Sequence, residues 1–168
     1  MSSFETGLRL LVVGQALLIA AVFLFGRGRL SARLSGAMLL LSVAAYLLVS
    51  DPTLRGALPA LVPLLALLSI VIPHSLWSFA RSVFEAPWPS RRIVAVFVAL
   101  ALTFWALFLA GDSVPASIAE VAGRLRYLAS LVIVVHALLI AARGRPDDLV
   151  ERRRLFRMFF IVIVAVQV

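Results

Sequence analysis

The stretch that decides the fold is residues 93–110, IVAVFVALALTFWALFLA, which runs for eighteen residues without a charge. A helix crosses the roughly 30 Å hydrocarbon layer of a bilayer with about 20 residues, so this run predicts a membrane-spanning helix. Working outward along the chain, further apolar segments in the same length range cover about residues 7–26, 34–50, 57–80 and 118–142. Short connections with turn-forming residues separate them, which predicts sequential, antiparallel neighbours.

The composition supports the same class. The chain has 168 residues, is 63% hydrophobic and has a mean hydropathy of +1.09, which is more apolar surface than one water-soluble core of this size could hide. Cysteine is absent, which excludes disulfides, thiol catalysis and cysteine metal sites. The opening residues have neither the basic start nor the cleavage site of a signal peptide, so we expect the first helix to be retained.

The last segment, residues 149–168, predicts an incomplete sixth helix. Asp148 and Glu151 have the spacing of an acidic capping pair at its start. Its apolar part, residues 155–168, is too short to cross the hydrocarbon layer. We therefore expect an all-α polytopic membrane domain with five complete transmembrane helices and part of a sixth. We expect this segment to belong to a longer gene product with seven helices and a cytoplasmic output domain; alternatively, the last helix lies partly in the interface or re-enters.

The arginines predict the orientation. Twelve of the sixteen lie in the first, third and fifth connections, and arginine-rich connections face the cytoplasm. We therefore expect a bacterial inner-membrane protein with its N-terminus outside. The fifth connection holds six of the twelve, namely Arg143, Arg145, Arg152, Arg153, Arg154 and Arg157. We interpret these six as a topology anchor that binds anionic lipid headgroups. Nucleic-acid contact by this stretch is not expected, because the bilayer holds it.

Two histidines are the candidate sensing residues. His74 and His136 each lie seven residues before an arginine of a cytoplasmic connection, about 10 Å inside the interface, so they share a depth. As a pair lining a cavity they could sense protons, a metal or a ligand. Alternatively, each histidine forms a hydrogen bond with a backbone carbonyl or a serine of a neighbouring helix and has no sensing role. Two residues do not make a metal site, so we expect no metal and no cofactor.

Ser78 follows His74 by one helical turn, on a face that could form a ligand pocket. The alternative for this face is helix packing, with Trp77 and Trp88 as interfacial anchors. Pro73 removes a backbone donor and predicts a kink near Ser69.

In the first helix, Gln15 is the fourth candidate polar residue within the membrane. The small residues from Ala16 to Ala20 follow it, and we interpret it as a packing residue. No catalytic motif is present, so an enzyme is not expected.

Two stretches resemble one family. Residues 73–88, PHSLWSFARSVFEAPW, and residues 142–157, ARGRPDDLVERRRLFR, are similar to parts of the membrane-embedded N-terminal regions of AraC-type bacterial transcriptional regulators. The resemblance implies a sensory or anchoring input module, with DNA bound only by a helix-turn-helix domain that these 168 residues lack. Two alternatives stay open: a small transporter or structural membrane protein, and the input domain of a histidine kinase or cyclase. The sequence also leaves open whether the chain forms a homo-oligomer and which ligand it binds.

Overall fold

The computed structural model describes residues 3–84 and 91–142, and every regular element in these two ranges is helical. The helices are α1 (Ser3–Phe25), α2 (Leu30–Ser50), α3 (Pro52–Ala57), α4 (Val62–Ile70), α5 (Ile72–Val83), α6 (Arg91–Ala110) and α7 (Ala116–Ala142). Short 3₁₀ turns precede α4 and α7. The all-α prediction is confirmed for these ranges. The predicted sixth helix and the six arginines of the fifth connection lie outside them.

Four of these helices are long and apolar enough to cross a membrane, namely α1, α2, α6 and α7. Four of the five predicted spans are therefore found as single helices. The fifth predicted span, residues 57–80, is not found as one continuous helix. That region contains the end of α3, a 3₁₀ turn, and the pair α4 and α5, whose axes differ by 47°.

The break between α4 and α5 confirms the kink predicted from Pro73. α4 ends at Ile70 and α5 begins at Ile72, which places Pro73 in the first turn of the second helix. Proline fits there because the first-turn amides have no partner within their own helix, whereas it cannot continue α4 by donating to the Ser69 carbonyl.

The turn between α1 and α2 is closed by Arg33. Its side chain donates to the carbonyl oxygens of Phe23, at 3.2 Å, and Leu24, which the end of α1 leaves without helical partners. Gly28 has a φ of +148° in this turn, a conformation that residues with a Cβ rarely adopt. The guanidinium therefore caps one helix while belonging to the next.

α2 is the central helix of the bundle and packs against α1, α4 and α5. α7 packs chiefly on α5, and α6 packs chiefly on α4, while α6 and α7 touch each other at only a few positions. The prediction of sequential neighbours therefore holds at the start of the chain and is wrong for the last two described helices.

Small residues fill the interior of the described bundle, and large apolar residues cover its outside. Ten of the fourteen buried apolar residues are alanines, whereas many leucine, valine and phenylalanine side chains are exposed. A water-soluble bundle would bury those large side chains. Close packing of small residues with large apolar residues turned outward is typical of helices surrounded by lipid, so the packing agrees with the composition that this is a membrane protein.

Gly36 lies where three helices approach one another. A Cβ at this position would lie 2.8 Å from two ring atoms of Phe23 and 3.1 Å from the ring of Phe79. The two phenyl rings pack edge to face against each other, with centroids 5.9 Å apart. Glycine thus lets α1 and α5 meet over the surface of α2.

Candidate functional site

The candidate site is a cluster of five side chains from three helices, which we call the His–Trp cluster. α5 contributes His74, Trp77 and Arg81, α6 contributes Phe97, and α7 contributes His136. The three α5 residues share a face because three- and four-residue spacing brings side chains to the same side of a helix. The packing of α5 on α7 brings His136 to this face.

Trp77 is the centre of the cluster. It is 3% exposed, and its indole Nε1 donates a hydrogen bond to His136 Nδ1 at 3.3 Å. An imidazole nitrogen that accepts a hydrogen bond is unprotonated, so a neutral His136 carries its proton on Nε2. The prediction that Trp77 is an interfacial anchor is therefore wrong, because its ring is buried between helices.

His136 lies at the rim of the cluster. Its neighbour Ala137 is fully buried between α5 and α7, while the imidazole itself is exposed on the surface of the described bundle. One side of the ring is therefore engaged by Trp77, and the other side is available to lipid, water or a further protein segment.

His74 lies on the other side of the aromatic pair. Its ring packs edge-on against Phe97 with centroids 4.9 Å apart, and Phe97 packs in the same way against Trp77 at 5.0 Å. Both His74 nitrogens are buried, and neither has a hydrogen-bond partner among the described residues. The two histidines are thus brought into one cluster through Trp77 and Phe97, without a hydrogen bond between them.

Arg81 adds a positive charge to this environment. The side chain is 9% exposed, and its guanidinium carbon lies 4.7 Å from the Trp77 ring centroid, in cation–π geometry. Its Nε atom is buried without a partner, and no carboxylate of residues 3–84 or 91–142 forms an ion pair with it. The cluster therefore combines a cation with an imidazole whose nitrogens bond no residue in the described part of the chain.

The other predicted site residues are placed differently. Ser78 is half-buried on α5, and its backbone carbonyl accepts from the Ser82 hydroxyl at 2.9 Å. Gln15 is exposed on α1, which packs mainly on α2, so it does not belong to the cluster. Its predicted packing role within the chain finds no partner in the described residues, although the adjacent Ala16 and Ala20 are buried as expected.

Three members of the cluster, Trp77, Arg81 and Phe97, were not predicted as site residues from the sequence. Trp77 could have been found, because it follows His74 by three residues and therefore shares its helical face. Phe97 has no such signal, since its position depends on how α6 packs. Within the described part of the chain, no three histidine or acidic side chains come together in a way that could hold a metal ion.

The comparisons with known proteins add no relative. No protein-family model matches the chain, and no match was found among curated proteins or solved structures.

Proposed function

We propose that this chain is the membrane-embedded sensory input module of a bacterial transcriptional regulator of the AraC type, in the inner membrane with its N-terminus outside. The single observation that carries the sensory role is the state of His74. Both of its ring nitrogens are buried without a hydrogen-bond partner among the described residues, and Arg81 stands on the same helical face. The regulator class rests on the resemblance of residues 73–88 and 142–157.

The energetic argument concerns the cost of an unpaired imidazole. A buried polar group without a hydrogen-bond partner costs about 1–3 kcal/mol. A phenylalanine would pack against Phe97 without this cost. Ionisable residues within membrane helices generally mark functional positions because they are expensive to keep there. We infer that the nitrogens of His74 are kept to receive a proton or a polar group of a ligand.

The contacts suggest how such an event would be transmitted. His74 touches Phe97, Phe97 touches Trp77, and Trp77 donates to His136 on α7. Charging or occupying His74 would favour a different packing of these rings and would displace α5 relative to α7. α7 leads directly into the arginine-rich fifth connection, which we place on the cytoplasmic side, so the displacement would reach the side where an output domain acts. This is a two-state mechanism in which the signal biases one packing arrangement.

The experiment uses the intact gene in its native host. We expect His74→Phe to leave the amount of protein in the membrane unchanged and to fix the host's transcript profile in one state across growth conditions. Thr103→Val is the matched control, because Thr103 is an exposed α6 residue whose hydroxyl bonds the Ala99 carbonyl of its own helix, at 2.8 Å. Its transcript profile should be that of the wild type.

Three outcomes would contradict the proposal in different ways. A transcript profile that changes on gene deletion but not with His74→Phe would leave an anchoring role. An unchanged profile with a solute-uptake defect on deletion would favour the transporter alternative. A changed level of protein phosphorylation or of a cyclic nucleotide would assign the input module to a kinase or cyclase.

A further inference from the structure

The outer face of α1 carries a continuous stripe with one polar residue in it. α1 packs on α2 through Val13, Ala16 and Ala20, which are all buried. Seven exposed residues on the opposite face form what we call the α1 stripe: Phe4, Leu8, Leu11, Gln15, Leu18, Val22 and Phe25. Their spacing alternates between four and three residues, the 3.5-residue repeat by which two helices pack along a left-handed seam.

Gln15 lies close to the middle of α1, which has 23 residues, and so near the centre of the membrane. Its side chain is exposed, and no described residue forms a hydrogen bond with it. Lipid tails offer an amide neither a donor nor an acceptor, so an amide at this depth requires a polar partner. The six other residues of the stripe are apolar, so Gln15 is the one position of the stripe that needs a polar partner.

We propose that the partner is Gln15 of a second copy of this chain, and that the α1 stripe is a homodimer interface. Two copies insert into the membrane in the same direction, so a two-fold axis along the membrane normal would set their α1 helices parallel and bring equivalent residues together at equal depth. A carboxamide both donates and accepts, and it can therefore pair with its own copy. Arginine has only donors and an ionised carboxylate only acceptors, so neither is self-complementary in this way.

Space along the seam is compatible with close approach. Gly7 and Gly14 lie beside the stripe, and a Cβ at either position would meet no atom within 4 Å. Such small residues allow helix backbones in membranes to approach one another. This inference does not rest on the proposed sensory function, since no residue of the His–Trp cluster belongs to the stripe.

The first experiment exploits the absence of cysteine from the chain. Leu18→Cys, on the stripe, should form disulfide-linked dimers when native membranes are mildly oxidised. Leu17→Cys is the matched control, because Leu17 is also exposed and lies at nearly the same depth, but the helix turns by about 100° per residue and carries it away from the stripe. Equal dimer yields for the two variants, or no dimer with Leu18→Cys, would overturn the proposal.

The second experiment measures the amide itself by energy transfer between labelled copies in lipid vesicles at increasing dilution. Gln15→Leu should weaken dimerisation by about 3- to 30-fold, the range expected for one hydrogen bond between membrane helices, whereas Gln15→Asn should retain much of it. Gln15→Leu should leave the melting temperature of the diluted monomer unchanged, which shows that the fold is intact. Unchanged dimerisation would overturn the role of the amide.

A third experiment tests whether the α1 stripe is covered by residues 155–168 of the same chain instead of by a second copy. Leu18→Cys combined with Val164→Cys should still give dimers. A product that stays at monomer size and carries an internal crosslink instead would assign the stripe to that segment and reject the homodimer.

Discussion

At the scale of single residues, the two histidines differ in bonding although they share a predicted depth. His136 accepts a hydrogen bond from the buried Trp77 indole, while the nitrogens of His74 have no partner among the described residues. A residue's depth follows from its position along the helix, whereas its bonding depends on the neighbouring helix. The same substitution at the two positions should therefore have opposite consequences for stability.

We expect His136→Phe to lower the free energy of unfolding by about 1–2 kcal/mol, because it leaves the buried Trp77 N–H without an acceptor. His74→Phe should be neutral or stabilising, since it removes two buried nitrogens that bond no described residue and keeps an aromatic ring against Phe97. Equilibrium unfolding in mixed detergent micelles measures both. In a double-mutant cycle, Trp77→Phe should cost less in the His136→Phe background than in the wild type, because there it also removes an unpaired donor. A larger loss for His74→Phe than for His136→Phe would contradict this account.

Gly36 tests the packing between α1, α2 and α5. Gly36→Ala places a Cβ 2.8 Å from the Phe23 ring, so we expect it to cost about 1–3 kcal/mol of stability despite the better helix propensity of alanine. Phe23→Leu in the same chain should recover part of the loss by vacating that space. Gly123→Ala is the control, because nothing lies within 4 Å of a Cβ at that position of α7. If Gly36→Ala and Gly123→Ala change the free energy of unfolding equally, the close approach at Gly36 does not contribute to stability.

At the scale of elements, a polar junction ties the start of α1 to the end of α2 and the start of α3. Asp51 is completely buried and caps α3 by accepting from the backbone amides of Thr53, at 2.9 Å, and Leu54, at 3.3 Å. The Thr6 hydroxyl of α1 donates to the same carboxylate at 3.2 Å. Arg9 of α1 adds a hydrogen bond to Ser50 at 2.9 Å. One carboxylate thus holds three helices together.

These contacts determine the sign of a pH effect at Asp51. Burial alone would raise the pKa of this carboxyl, but the hydrogen bonds from Leu54, Thr53 and Thr6, with the charge of Arg9, outweigh it and hold the pKa below its ordinary value of 3.8. A carboxyl whose pKa is lower in the folded state stabilises the fold above its ordinary pKa. That contribution is lost as the pH falls through the lower pKa of the folded protein.

We therefore expect Asp51 to stabilise the wild type fully down to about pH 4. In stronger acid Asp51 becomes protonated, and the melting temperature should fall. Asp51→Asn should melt lower than the wild type at neutral pH and should lose less on acidification. Glu120→Gln serves as the control, because Glu120 belongs to an exposed pair with Arg124 that contributes little. Parallel melting curves of the wild type and Asp51→Asn over the whole pH range would contradict the assignment.

At the scale of the whole molecule, the path of α4 and α5 decides the topology. If the bent pair crosses the membrane, the described helices make five spans, and the connections before α4 and before α7 lie on the same side. If the pair re-enters, the described helices make four spans, and the connection before α7 lies on the opposite side. The distribution of arginines favours the crossing, because it collects twelve of sixteen on one side.

Single cysteines in intact cells test this with an impermeant thiol reagent. We expect Gly56→Cys and Ser113→Cys to react from outside, and Ser31→Cys to react only after the membrane is permeabilised. Reaction of Gly56→Cys without Ser113→Cys would show that the α4–α5 pair re-enters. Reaction of Ser31→Cys alone would reverse the proposed orientation.

The sequence by itself determined the helical class, the membrane environment, four of the spans and the break at Pro73. Each of these is local in the chain. Crossing a bilayer depends on the length of one contiguous apolar run, and a kink depends on one missing backbone donor. Residues 57–80 were predicted as one segment with a single kink, whereas the structure starts new helices near three of its prolines.

Only the tertiary structure decided which helices are neighbours and which faces they bury. In a soluble protein the apolar face of a helix reveals its buried side, but lipid and protein interior are similarly apolar, so periodicity carries little of that information here. Trp77 was therefore predicted at the interface and Gln15 in a helix contact, and the structure places both differently. The hydrogen bond from Trp77 to His136 joins residues 59 positions apart, and it exists because alanines of α7 allow α5 to pack closely against it.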